Sequence, residues 1–119
     1  MPPTRLARRQ LPIVATVSTA STATLTPNVD LGEAFVITAQ AAALSIANPT
    51  GTSTDMQSLI IRIKDNGTAR AITWSGTEYR ASSDLPLPTT TIVGKTMYLG
   101  FKRHALDAKW DLLALLNNF

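Results

Sequence analysis

Short runs in which apolar and polar residues alternate predict that the chain is built from β-strands. The clearest runs are "EAFVITA" at 33–39, "LIIRIKD" at 59–65 and "KTMYLGFKR" at 95–103. A period of two places every second side chain on the same face of a sheet. Proline, glycine and asparagine separate the runs, as turn residues do. Several short strands punctuated in this way predict an all-β fold, either an antiparallel β-sandwich or a jelly-roll-like barrel.

The segment around Asn66-Gly67 predicts a β-hairpin at the centre of this fold. Asn-Gly between two alternating runs is the strongest short-range indication of a two-residue hairpin loop. Pairing across that loop places the large apolar side chains on one face: Leu59, Ile61, Ile63, Ile72 and Trp74. Shifting the register by one residue would destroy this sorting. Turn chemistry and pattern therefore agree on a hairpin over 59–74.

The N-terminal half of the domain is predicted to add weaker strands. Residues 13–26 alternate small apolar residues with serine and threonine and carry no charge, which indicates one strand. A short strand through Leu44 and Ile46 then ends at the turn residues that follow it.

The C-terminal segments 95–103 and 109–116 are predicted to form a second hairpin. Its inward-facing residues are Met97, Leu99 and Phe101 on the first strand, with Trp110, Leu112, Ala114 and Leu116 on the second. Leucine and alanine also favour helices, so a helix over 106–117 is the alternative. In the strand interpretation Leu113 and Leu115 lie on the opposite face, where a neighbouring subunit or an arm must cover them.

Charge divides the chain into an N-terminal arm, residues 1–12, and a single domain, residues 13–119. The arm holds three arginines and no acidic residue, whereas the other eight basic residues equal the eight acidic ones. The formal net charge of +3 therefore lies entirely in the arm. A neutral domain lacks the basic face that nucleic-acid binding requires, so we do not expect it to bind nucleic acid.

The arm has two interpretations. One is an extended, solvated terminus. The other is a segment that docks on a neighbouring subunit, because arginine makes bidentate contacts with carboxylates. The residues that would make this contact are three cations and two apolar anchors: Arg5, Leu6, Arg8, Arg9 and Leu11.

Composition excludes several classes of protein. There is no cysteine, which rules out disulfides, cysteine–zinc sites and thiol nucleophiles. No apolar run approaches the roughly 20 residues that a transmembrane helix needs, so we expect no membrane partner. A hydrophobic content of 45% in 119 residues is enough for one packed domain.

Motifs for catalysis are missing from the sequence. There is no G-x-S-x-G, P-loop or G-x-G-x-x-G pattern. His104 is the only histidine and is predicted to lie at a surface turn without a metal-binding partner. Glu78 and Asp84 are the only candidate carboxylate pair for glycoside hydrolysis. We therefore expect no enzymatic activity, no catalytic residue, no metal and no cofactor.

One stretch could contact a ligand. The segment 75–90 contains glycine and two prolines, which predicts a long surface loop. Within it, Glu78, Tyr79 and Arg80 form the candidate ligand-contact loop, with Tyr79 as the best exposed aromatic side chain. Both tryptophans are predicted to lie on core faces.

The segment "LIIRIKDNGTARAITW", followed by "LPTTTIVGKTMYLGFKR" and "DAKWDLLAL", resembles a small β-module of tailed-bacteriophage virion proteins. The resemblance covers roughly residues 25–116 and leaves the arm outside. Such modules occur at the ends of tail fibres and as small free-standing structural proteins. The resemblance implies assembly or surface binding without catalysis, in a trimer.

These observations together predict a bacteriophage virion structural protein that decorates or cements the capsid exterior. Its expected partners are the major capsid protein or other virion subunits and two further copies of itself. The alternative is a tail-fibre or tail-tip domain that binds a host-surface glycan. Copy number per particle separates the two, because decoration needs many copies and a fibre few.

Overall fold

Nine β-strands make up the fold in residues 15–119, the part of the chain that this computed structural model describes. The strands are β1 (Thr16–Thr19), β2 (Thr24–Leu25), β3 (Ala34–Gln40), β4 (Leu44–Ile46), β5 (Ser58–Asp65), β6 (Ile72–Trp74), β7 (Tyr79–Arg80), β8 (Thr96–His104) and β9 (Lys109–Leu116). No helix occurs in these residues, so none there could span a membrane. The predicted all-β, sandwich-like class is confirmed.

The strands form a six-stranded sheet in the order β1-β3-β5-β8-β9-β7 and a three-stranded sheet in the order β2-β4-β6. The first six strands alternate between the two sheets, and each of the strands β1 to β4 pairs in parallel with the strand two positions later in the chain. The N-terminal half therefore winds back and forth between the two sheets, and successive windings pair in parallel within each sheet. Among the strands of residues 15–119, only β5–β8 and β8–β9 pair antiparallel. The expectation of an antiparallel sandwich is corrected, because alternation of apolar residues specifies buried faces and not strand direction.

The central hairpin prediction is wrong, although the turn inside it exists. Gly67 has a positive φ of 108° and its N–H binds the carboxylate of Asp65 at 3.0 Å. The chain then continues to Ile72 in the other sheet, where β6 pairs with β4. Leu59 is fully buried and Ile72 nearly so, because both sheets face one core. A hairpin and a crossing between sheets bury the same residues, so the pattern could not distinguish them.

Asp65 fixes this crossing by binding two loops at once. Its carboxylate accepts hydrogen bonds from the N–H groups of Gly67 and Gly94, each at 3.0 Å, and from the hydroxyl of Thr91 at 3.1 Å. The side chain is 3% exposed. Burial raises the pKa of Asp65, but the hydrogen bonds from Gly94, Gly67 and Thr91 outweigh it and hold the pKa below its usual value. The ionised carboxylate is therefore part of the fold.

The terminal hairpin prediction is confirmed, and the alternative helix is not formed. β8 and β9 are antiparallel and joined by a turn at 105–108. A register shift places Leu112 opposite Phe101 but Ala114 opposite Gly100, so Leu113 is an extra residue in a β-bulge.

The bulge exchanges the inward and outward positions of the β9 residues that follow it. Leu112 is buried, but Ala114 and Leu116 are exposed and Leu115 instead packs against the core. The predicted inward positions of Ala114 and Leu116, and the predicted outward position of Leu115, are corrected for this reason. The expectation that Leu113 lies uncovered holds within the described residues, where it is 62% exposed.

A single hydrophobic core lies between the two sheets. Its most completely buried members are Ile46, Leu59, Ile61, Ile63 and Leu99, with Trp110 and Phe101 as the largest. Burial of a large apolar side chain contributes roughly 1.5–3 kcal/mol, so these residues provide most of the favourable free energy of folding.

Two further expectations need correction. The single strand predicted over 13–26 is two strands, β1 and β2, which lie in different sheets. The loop predicted over 75–90 contains β7, and Leu85 and Leu87 pack against the core. The arm, residues 1–12, lies outside the described residues, and the boundary proposed at residue 13 does too.

Candidate functional site

The outer face of the six-stranded sheet carries several large apolar side chains that face away from the core. We name this surface the outer apolar face and define it by Ile60, Tyr98, Leu113, Leu116 and Phe119. Their exposed fractions range from 37% for Ile60 and Tyr98 to 64% for Phe119. An exposed apolar cluster of this kind is typical of a surface that binds another protein.

Tyr98 lies within the outer apolar face and is held by its neighbours. Its ring packs edge-on against Phe119 with 5.5 Å between centroids, and the guanidinium of Arg62 lies 5.7 Å from the ring centre. The backbone of Phe119 pairs with that of Thr96, whose N–H donates to the Phe119 carbonyl at 2.9 Å. The C-terminal residue is thus fixed on the sheet, and the aromatic pair has a defined geometry.

The middle of this face has no large side chain. Gly100 faces outward between its cross-strand partners Ile60 and Ala114. A Cβ built at Gly100 would lie 3.7 Å from the Ala114 side chain and 3.9 Å from that of Ile60, which is ordinary van der Waals contact. The contacts within the chain would therefore allow a larger residue at position 100. The absent side chain of Gly100 instead lets another surface approach the backbone closely.

Tyr79 is buried, contrary to the prediction that it is the best exposed aromatic residue. It is 7% exposed, and its hydroxyl donates to the carbonyl of Ala47 at 2.8 Å. Its ring packs against Trp74 and Phe101 at centroid distances of 4.9 and 5.3 Å. Burial, with the charge of Glu78, raises the pKa of Tyr79 well above its usual value. Tyr79 cannot stack on a ligand, because the short strand β7 turns it into the core.

The prediction for the tryptophans holds. Trp110 is 1% exposed, and Trp74 is partly buried against the core. The Trp74 indole N–H donates to the carbonyl of Pro88 at 2.8 Å, which fixes the 75–90 segment onto the sandwich.

Arg80 is engaged by two carboxylates and is not free for a ligand. Its Nε and Nη2 bind the two oxygens of Asp111 at 2.6 and 3.0 Å, and its Nη1 binds Asp107 at 2.9 Å. These hydrogen bonds from Arg80 hold the pKa of Asp111 below its usual value. His104 lies beside them at the end of β8, half-buried, with its Nδ1 accepting the N–H of Asp107. The cluster fastens β7 to the β8–β9 hairpin.

The candidate carboxylate pair is not brought together. Glu78 binds Nη1 of Arg103 at 3.2 Å, whereas Asp84 accepts a hydrogen bond from the hydroxyl of Ser82. That bond, the largest contribution, holds the pKa of Asp84 below its usual value. The two acids therefore serve different local contacts. In residues 15–119, no three histidine or acidic side chains converge in a way that could hold a metal ion.

Glu78 and Arg103 border a small polar pocket at one end of the sandwich. We name it the end pocket; its other lining residues are Val29, Pro49, Thr50, Gly51, Ser53 and Trp110. Its volume is about 140 Å³ and its accessible lining is almost entirely polar. The Arg103 guanidinium lies 5.4 Å from the Trp110 ring centre, and its buried Nε has no hydrogen-bond partner in the described structure.

Comparison of the chain with protein-family models, curated proteins and solved structures found no match.

Neither the outer apolar face nor the end pocket was predicted from the sequence. Ile60 was the one apolar residue on the polar face of its strand, and that exception was the available indication of an apolar outer face. Arg103 was not singled out at all. Its position opposite Trp110 depends on the register of β8 and β9, which the length of the turn at 105–108 sets.

Proposed function

We propose that this chain is a non-enzymatic structural protein of a tailed-bacteriophage virion, where it decorates or cements the capsid exterior. The observation that supports this best is the outer apolar face, a flat sheet surface with exposed aromatic and aliphatic side chains. A structural protein acts by burying such a surface against other subunits. The resemblance to virion β-modules supports the choice of particle.

We propose that the outer apolar face is the contact between copies in a homotrimer. Tyr98 and Phe119 supply rigid aromatic area, which commonly dominates interface energy. Gly100 leaves space for a neighbouring backbone. Arg62 lies beside the ring of Tyr98, so its charge sits at the border of the apolar cluster. Trimerisation would remove the exposed apolar side chains from water without any change in fold.

The proposal that the chain has no catalytic role is supported by the engagement of its acidic groups. Asp107 and Asp111 bind Arg80, and Asp65 binds two loops. Carboxylates that hold the fold through hydrogen bonds are poorly suited to exchange protons with a substrate.

Oligomeric state tests the trimer. Sedimentation equilibrium should show a trimer at micromolar concentration for the full chain, and Leu116→Asp should give a monomer with an unchanged far-ultraviolet circular dichroism spectrum. Leu106→Asp is the matched control: Leu106 is 92% exposed at the β8–β9 turn, outside the outer apolar face. A monomeric full chain, or equal dissociation by both variants, would refute the proposed interface.

Attachment to particles tests decoration. The chain should co-sediment with particles of the phage that encodes it, in many copies per particle. We propose that the arm makes this contact, so deletion of residues 2–12 should abolish co-sedimentation while the domain stays folded and trimeric. Arg8→Glu with Arg9→Glu should weaken attachment. Unchanged binding by the truncated chain would show that the capsid contact lies on the domain.

A tail-fibre or tail-tip domain that binds a host-surface glycan is the second candidate. The end pocket favours it, because the pocket is concave and combines hydrogen-bond donors with an acceptor. A small number of copies per particle, located at the tail, would favour this candidate over decoration.

A further inference from the structure

We propose that Asn66 is a modification site, where spontaneous deamidation is held back by the carboxylate of Asp65 and proceeds when the turn opens. Asn66 is the only asparagine in the sequence that precedes a glycine. Asn66 and Gly67 are both exposed in the turn that follows β5. Asparagine before glycine is especially prone to deamidation, because glycine has no side chain to hinder attack by its backbone nitrogen. The site does not depend on the function proposed above.

Deamidation consumes one water and releases ammonia. The backbone nitrogen of Gly67 loses its proton and attacks Cγ of Asn66. The Cγ–Nδ2 bond then breaks, and the amide nitrogen leaves as ammonia. Water opens the cyclic imide at either of its two carbonyls, which gives aspartate or isoaspartate at position 66. The rate therefore depends on how readily Gly67 loses its proton and on whether Cγ can reach the nitrogen.

Asp65 holds the proton that must be lost. The N–H of Gly67 donates to Oδ1 of Asp65 at 3.0 Å, and Gly94 and Thr91 hold the same carboxylate in place. A negative charge at this distance disfavours the amide anion that attacks Cγ. The pKa of Asp65 lies below its usual value, so the carboxylate is also a weak base for that proton. The folded chain therefore suppresses the nucleophile.

Arg70 restrains the group that is attacked. Its Nη2 donates to Oδ1 of Asn66 at 2.7 Å, and its Nε donates to the carbonyl of Gln40 at 3.3 Å. The N–H of Asn66 donates to the same carbonyl at 3.1 Å. The backbone and the side chain of Asn66 are thus both tied to the end of β3. These contacts restrict the rotations that closing the imide ring requires.

The two products should affect the fold differently. Aspartate at position 66 keeps the length of the backbone, and its carboxylate can accept the same bond from Arg70 with the added strength of an ion pair. Isoaspartate carries the main chain through the side chain and adds one atom before Gly67. The N–H of Gly67 then moves away from Asp65, and the crossing to β6 loses a contact. A transient opening of the turn would thereby become a permanent change.

Peptide mapping by mass spectrometry tests the protection on the full chain. The chain is incubated in mildly alkaline buffer, either folded or unfolded in guanidinium chloride. Deamidation at Asn66 should be at least roughly tenfold slower in the folded chain, which corresponds to about 1.4 kcal/mol of protection. Equal rates in the two states would overturn the proposal.

Asp65→Asn tests the charge, because asparagine can keep the bond to Gly67 in neutral form. It should speed deamidation of Asn66 in the folded chain by roughly tenfold. It should also speed hydrogen exchange of the Gly67 N–H, since base-catalysed exchange removes the same proton. Tyr79→Phe weakens the core away from this turn and is the matched control, which should change neither rate.

The two rates together separate the role of Asp65 from a general loss of stability. Equal acceleration by Asp65→Asn and Tyr79→Phe would show that unfolding alone exposes Asn66, and it would overturn the role of Asp65. Faster deamidation without faster exchange at Gly67 would do the same. In the unaltered chain, exchange of the Gly67 N–H should already be slow although the residue is exposed, and unprotected exchange there would contradict the proposal without any variant.

Discussion

Asp65→Asn removes the charge that joins two loops and should destabilise the fold by about 2 kcal/mol at neutral pH. The carboxylate accepts three hydrogen bonds, from Gly67, Gly94 and Thr91. Hydrogen bonds to a charged group contribute roughly 1.5–3 kcal/mol and neutral ones roughly 0.5–1.5 kcal/mol. Asparagine can keep both backbone bonds in neutral form, so each loses about 1 kcal/mol. Thr91 can rotate its hydroxyl to accept from the new amide, which limits the loss there.

The effect should depend on pH with a defined sign. The pKa of Asp65 is lowered in the folded protein, so its stabilisation is fully present above the pKa of the unfolded chain, near 3.8. That stabilisation disappears as the pH falls through the lower folded-state pKa. The difference between the native chain and Asp65→Asn should therefore be largest at pH 7 and should shrink below about pH 4.

Urea unfolding followed by tryptophan fluorescence measures this difference, at fixed protein concentration because association adds to apparent stability. A loss of about 2 kcal/mol corresponds to a fall of roughly 8 °C in Tm for a domain of this size. Glu33→Gln, an exposed acid, is the control and should leave the midpoint unchanged. A pH-independent difference, or an equal loss in the control, would refute the role of the ionised carboxylate.

Two other predictions concern packing near the loop that carries Glu78. Tyr79→Phe removes the hydroxyl that binds the Ala47 carbonyl and should cost about 1–2 kcal/mol in urea unfolding; an unchanged midpoint would show that water replaces it. Gly76→Ala places a Cβ 2.6 Å from the backbone nitrogen of Asn48, whereas the Cβ of Gly94→Ala meets nothing within 4 Å and is strained only by the positive φ of 71°. Gly76→Ala should therefore lower thermal stability more than Gly94→Ala, and the reverse order would contradict this.

Burial along the central strands β5 and β8 was predictable from the sequence, but the partners of β5 were not. Alternation placed Ile61, Ile63 and Leu99 correctly in the core, because a strand of either direction exposes every second residue to the same side. The same pattern could not show that β5 pairs with β3 and β8 instead of β6. That choice depends on Asp65, whose partners Thr91 and Gly94 lie far along the chain.

The surfaces proposed here were harder to foresee for a related reason. Tyr79 looked exposed because glycine and proline surround it, yet two residues of strand pairing with β9 turn it inward. The outer apolar face depends on the bulge at Leu113, which exchanges the faces of the last strand residues. Local sequence does not encode such shifts in register, since they arise from the fit between strands.

The parallel pairing of the N-terminal strands, β1 to β6, affects the order in which the fold can form. The β8–β9 hairpin closes through a turn at 105–108, so it can form quickly on its own. The parallel pairs β1–β3 and β3–β5 require long loops to close, and the chain loses conformational entropy in that closure before the strand contacts compensate for it. β8 is also the antiparallel partner on which β5 can assemble. During synthesis, the N-terminal strands therefore leave the ribosome before β8 has been made, and β1 remains unpaired for the longest time. The sequence of β1 is short, rich in threonine and weakly hydrophobic, so it has little tendency to aggregate with another chain while it is unpaired.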